Sequence, residues 1–133
     1  MEKKEAVRSV LQLEKVVFDK IEFKRLGFSS EKEFELEIQS TISQQEGKNS
    51  YRVTLELMGN KPEEYHLGIS LTGFFSIEAE ELLPEETRNA LITRNTVAIL
   101  MPYLRSEVSL LTAQPGMECV VLPAFNINEM LRA

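Results

Sequence analysis

The chain has 133 residues, 43% of them hydrophobic and 27% charged, a length and balance that fit one soluble globular domain with a real core. Its net charge of −6 argues against nucleic acid or an anionic membrane as partner. One cysteine excludes an internal disulfide and, with a single histidine and a single aspartate, excludes most metal sites built from His and Cys ligands.

In chain order, Met1 to Ser9 is charged and lacks an apolar signal core, so it reads as a frayed helix or a disordered start. No run approaches the ~20 apolar residues of a membrane span, and a reducing, cytoplasmic compartment is expected. Val10 to Lys24 alternates through Leu11, Leu13, Ile21 and Phe23, with a slip near Val16-Val17-Phe18 that predicts a bulge. After a loop at Gly27 to Ser30, Phe34, Leu36, Ile38 and Ile42 alternate with polar residues. Tyr51, Val53, Leu55 and Leu57 follow, then Tyr65, Leu67, Ile69 and Leu71, with turns predicted at Gln45 to Ser50 and at Gly59-Asn60-Lys61-Pro62. Four antiparallel strands joined in order predict a meander with one apolar and one polar face.

Pro84-Glu85-Glu86 suits a helix start, and Arg94-Asn95-Thr96 is read as a break before the main helix, Thr96 to Thr112. In that helix Val97, Leu100, Met101, Leu104, Val108 and Leu111 form one apolar stripe, which is read as facing the sheet. Ile99, Tyr103 and Leu110 form a second, nearly opposite stripe, which is read as an oligomer interface. Pro102 lies inside the helix and Pro115-Gly116 stops it. Met117 to Leu122 is a short extended apolar run, and Asn126 to Glu129 caps a last short helix, Ile127 to Arg132. The expected fold class is α+β: a four-stranded antiparallel sheet covered on one face by a long helix plus a short C-terminal helix, in one domain over residues 1–133.

The residues offer little chemistry. His66 stands alone on a strand and reads as a surface or edge residue, while Cys119, in an apolar run, reads as buried and inert. Glu31, Glu33, Glu35 and Glu37 alternate with apolar residues and read as a solvated strand face. No phosphate loop, nucleophile elbow or dinucleotide fingerprint is present, so no enzyme, catalytic residue, cofactor or metal is expected. Apolar surface beyond the needs of one small core is the stronger signal. Phe74 and Phe75 must point to opposite faces, and Phe125, Met130 and Leu131 add a cluster near the C-terminus.

Three segments carry a resemblance to a known family: Gly73-Phe74-Phe75-Ser76-Ile77, Ile99 to Glu107 with its internal Pro102-Tyr103, and Leu122-Pro123-Ala124-Phe125-Asn126. Together they resemble SecB, the bacterial protein-export chaperone, with motif content in about the last 60 residues and only pattern likeness before. The resemblance implies an ATP-independent holdase that binds unfolded or slowly folding polypeptides in apolar grooves. It also implies a homo-oligomer, dimer or tetramer, assembled through the long helices. It would place groove residues at Leu36, Ile38, Tyr65, Phe75 and Leu131. Two departures weigh against docking on the SecA motor: Lys20 and Lys24 stand where the family carries acidic residues, and the family's zinc-binding tail has no counterpart. A dedicated antitoxin chaperone, as in some SecB-like proteins of toxin–antitoxin systems, would need neither. The alternative is an oligomeric adaptor or structural protein that recognises one folded partner.

Overall fold

The computed structural model describes residues 11–44, 49–77 and 84–123. Four strands, β1 (Leu11–Arg25), β2 (Glu35–Gln44), β3 (Ser50–Lys61) and β4 (Tyr65–Ile77), form one antiparallel sheet. Two helices follow: α1 (Glu85–Ala90) and α2 (Thr96–Thr112). The predicted last helix at Ile127 to Arg132 and the charged start at Met1 to Ser9 lie outside the described residues.

The spatial order is β1-β4-β3-β2. The expected meander therefore holds for β2, β3 and β4, while β1 crosses over to pair with β4. The crossing is made by Leu26 to Phe34, and the start of that segment is tied down where the Leu26 and Gly27 amides both donate to the Glu64 carbonyl. Sequence periodicity specifies which residues face the core, and both strand orders satisfy it equally, so periodicity alone did not reveal the crossover. The β3–β4 turn also moves: β3 runs on to Lys61, and the turn is Pro62 to Glu64, with Glu63 at φ 73°.

The predicted slip in β1 resolves into two irregularities, between Leu13 and Lys15 and between Phe18 and Lys20. Each leaves one extra residue, Glu14 or Asp19, and both are carboxylates bonded to hydroxyls of β4. Ser76 donates to Glu14 at 2.6 Å, and Thr72 donates to Asp19 while also bonding Thr54 at 2.9 Å. A bulge frees a side chain from the alternating pattern. Here the freed carboxylates tie the edge strand to the middle of the sheet.

Tyr51, Val53, Leu55 and Leu57 of β3 and Leu67, Ile69, Leu71 and Phe75 of β4 are buried on the face that receives α2. From α2, the buried residues Val97, Leu100, Met101, Leu104 and Val108 match the predicted inner stripe; Leu111 is half-buried. Full burial of such a side chain contributes about 1.5–3 kcal/mol. Close approach depends on Gly73, where an added Cβ would lie 2.7 Å from Leu100 Cδ2. The predicted break before α2 is instead a π-helical turn, Leu91–Asn95, continuous with the helices on either side. Just after it the Thr96 hydroxyl, fully buried, donates back to the Ile92 carbonyl, which satisfies a hydroxyl that would otherwise interrupt the helix in the core.

Candidate functional site

The sheet is three strand spacings wide, about 14 Å between its outer strands, whereas a helix with side chains is about 10–12 Å across. A single helix cannot cover all four strands. α2 contacts β3 and β4. The helix-side apolar residues of the outer strands are left partly open: Ile21 on β1 is 47% exposed, Leu36 and Ile38 on β2 are half-buried, and Ile42 is exposed. Apolar troughs therefore flank the helix.

On the β1 side, Phe18, Pro102, Tyr103, Ser106 and Glu107 line a hollow of ≈ 290 Å³. A second hollow, of ≈ 310 Å³, lies where the crossover segment meets the segment after α2, and its lining includes Lys32, Phe34, Lys61, Tyr65, Cys119 and Val120. Its floor is aromatic. Tyr65 stacks on Phe23 at 5.3 Å between ring centroids, and Phe34 tilts against Tyr65 at 6.2 Å. Phe34 is seated there because Gly59 has no side chain; a Cβ on Gly59 would lie 2.6 Å from the end of the Phe34 ring. Burial raises the pKa of the Tyr65 hydroxyl, the charges of Glu64 and Glu118 raise it further, and Arg25 opposes them. The phenol is held neutral at the edge of a hollow whose lining mixes aromatic rings with Lys32, Glu33, Lys61 and Glu118.

The segment after α2 turns at Gly116 and packs back along the helix. The guanidinium of Arg105 donates twice to the Leu122 carbonyl, at 3.1 and 3.2 Å. Ser109 donates to the Val120 carbonyl, and the Val120 amide donates to Thr112 Oγ1. Leu122 is thereby buried and Val121 is held 75% exposed, beside a wider hollow of ≈ 620 Å³ whose lining includes Pro102, Arg105, Leu110 and Cys119.

Of the expected groove residues, Leu36 and Ile38 are half-buried on the inner face of β2, while Tyr65 and Phe75 are fully packed in the core of the single chain. Tyr65 lines the ≈ 310 Å³ hollow; Leu131 lies outside the described residues. Of the expected interface stripe, Tyr103 is 44% and Leu110 68% exposed, and Ile99 is half-buried against the core. Cys119 corrects the sequence reading: it is exposed, with its thiol 3.5 Å from the Ser109 carbonyl, because the chain turns back along α2 rather than entering the core. His66 is half-buried on β4, an inner strand rather than an edge, since β1 crosses over to cover it. Glu31 and Glu33 are exposed in the crossover segment, since β2 begins at Glu35. Sequence reasoning did not connect Phe34 with Tyr65, although a glycine aligned with an aromatic one strand away is a usable signal of such seating.

No family model matches the chain. Over 66 residues it is 36% identical to an uncharacterized protein of Methanocaldococcus jannaschii, MJ0357, a match covering 50% of this chain and only 41% of that relative's length. Among solved structures it is similar to the Mycobacterium tuberculosis SecB-like chaperone Rv1957, solved in complex with a ChAD peptide from the Rv1956 HigA1 antitoxin. The TM-score is 0.72 at 14% identity, covering 92% of this chain and 94% of that one. The fold is SecB-like. The four-stranded sheet and the long helix after it match that fold. No helix among the described residues is long and apolar enough to cross a membrane.

Proposed function

We propose that this chain is an ATP-independent holdase chaperone, a homo-oligomer of two or four copies that captures unfolded or slowly folding polypeptides and catalyses no reaction. Its clients would be held for export or, as a dedicated chaperone, would be an antitoxin. The observation that carries the reading is the superposition of 92% of the chain on a chaperone solved with an antitoxin peptide. The uncovered apolar troughs beside α2 support it, because extended segments of unfolded chains supply the apolar side chains such troughs would bury. Leu36 and Ile38 would line the trough along β2, with Tyr65 and Phe34 at its aromatic end. Phe75 would act from the core, as support. Tyr103 and Leu110 would join copies through α2.

Fluorescence anisotropy tests this with a labelled, permanently unfolded polypeptide and the same protein folded. The unfolded form should bind without nucleotide and the folded form should not. Ile42→Glu, at an exposed position on the inner face of β2, should weaken capture about tenfold while the protein keeps its melting temperature. Equal binding of both forms would instead mark an adaptor for a folded partner.

A further inference from the structure

The face of the sheet turned away from α2 has a chemistry of its own. The register sets Lys15 of β1 and Arg52 of β3 directly opposite Phe74 of β4, one on each side. Directly opposed residues share a face, so the three form a row of cation, aromatic ring and cation. Phe74 is 37% exposed, and both cations are exposed. Among the described residues, the ion pairs are Lys20 with Glu22, Lys32 with Glu63 and Lys61 with Glu64, so neither Lys15 nor Arg52 is paired. Two of the three, Phe74 and Arg52, line a concavity of ≈ 440 Å³ together with Glu14, Ser43 and Ser50, and Lys15 stands outside it, next in sequence to Glu14. Its one carboxylate, Glu14, accepts the Ser76 hydroxyl at 2.6 Å.

Two unpaired cations flanking an exposed ring, in a chain of net charge −6, complement a ligand that brings carboxylates together with apolar groups. A free guanidinium offers a carboxylate two parallel hydrogen bonds, and the ring offers apolar contact beside them. The strands of Lys15 and Arg52 are two spacings apart, about 10 Å, which an extended peptide of polyproline II type spans in about three residues, with every third side chain on the same side. We propose that the Lys15–Phe74–Arg52 row is a docking site for an extended acidic peptide segment, with carboxylates three residues apart and apolar side chains between them. This site lies on the opposite face from the troughs and does not depend on the holdase reading. Nucleic acid is disfavoured, because two cations release few counterions and the rest of the chain repels a polyanion.

The test is anisotropy at low salt with a fluorescein-labelled peptide built on Glu-Leu-Leu-Glu and a twin carrying Gln at both acidic positions. The acidic peptide should saturate, and the twin should bind at least about tenfold more weakly. Arg52→Glu should cost the acidic peptide a similar factor. The double change Lys15→Glu with Arg52→Glu should transfer preference to a Lys-Leu-Leu-Lys peptide, and Ile42→Glu should have no effect. These positions are exposed, and melting temperatures verify that each variant is folded. Absence of saturable binding, indifference to Arg52→Glu, or loss through Ile42→Glu would overturn the proposal. So would equal or tighter binding of a single-stranded oligonucleotide.

Discussion

Tyr103 and Leu104 are neighbours in sequence with different surroundings: Leu104 is fully buried against the sheet and Tyr103 is 44% exposed on the flank of α2 beside the β1 hollow. A carboxylate at Leu104 would sit in an apolar core without a partner, so Leu104→Glu should destabilise the chain by at least about 3–5 kcal/mol. Tyr103→Glu should change the stability of the single chain by no more than about 0.5 kcal/mol and should shift assembly toward monomer. Urea denaturation and sedimentation velocity separate the two effects. The inner residue was legible from helical spacing alone, because burial repeats with the helix period. Tyr65 gives a second test at this scale. Its folded-state pKa is raised above the 10.0 of a free tyrosine, chiefly by burial. Above pH 10 the unfolded chain therefore releases the phenol proton more readily than the folded chain, so Tyr65 stabilises the fold below that pH and loses its contribution as pH rises through the folded value. Denaturation midpoints should fall above pH 10, and Tyr65→Phe should flatten that part of the profile.

At the scale of elements, β1 is the strand that periodicity described least well. Its alternation slips because Glu14 and Asp19 are extra residues, and each slip coincides with a hydroxyl on β4 placed to receive a carboxylate. Asp19 closes a chain through Thr72 to Thr54 that reaches across three strands. Removing it leaves Thr72 buried with one partner fewer, so Asp19→Ala should cost about 1–3 kcal/mol, and the loss should shrink when Thr72→Val is already present. A double-mutant cycle in urea measures this coupling. Strand identity and the buried stripe of α2 could be read in advance, since both are local patterns. Strand order could not: β1 pairs with a strand some fifty residues later, and a face pattern carries no information about its partner. The continuity of the helix through Leu91–Asn95 was hidden for a related reason. Arg94-Asn95-Thr96 has modest helix propensity, and it takes the buried Thr96 hydroxyl on the Ile92 carbonyl to make a wider turn acceptable there.

For the whole molecule, width explains the division of surfaces. One helix covers two strands of a four-stranded sheet, so the inner faces of β1 and β2 remain partly open, and the segment returning along α2 holds Val121 outward beside Leu110. This chain leaves Ile21, Ile42, Tyr103, Leu110 and Val121 exposed, and under the proposed function assembly and client capture would divide that apolar surface between them. Of the residues expected in a groove, the sequence pattern conveyed which face they share but not their depth. Leu36 and Ile38 are half-buried on the inner face of β2, Phe75 is fully packed in the core, and the seating of Phe34 over Gly59 depends on a contact between strands. The measurement that bears most directly on the chaperone reading is refolding arrest. A slow-folding protein is diluted from denaturant with and without this chain, in the absence of nucleotide, and recovery of its native signal is followed. A holdase should cause a delay that saturates at a fixed ratio of chain to client and that Ile42→Glu relieves. Unchanged refolding kinetics at every ratio would contradict it.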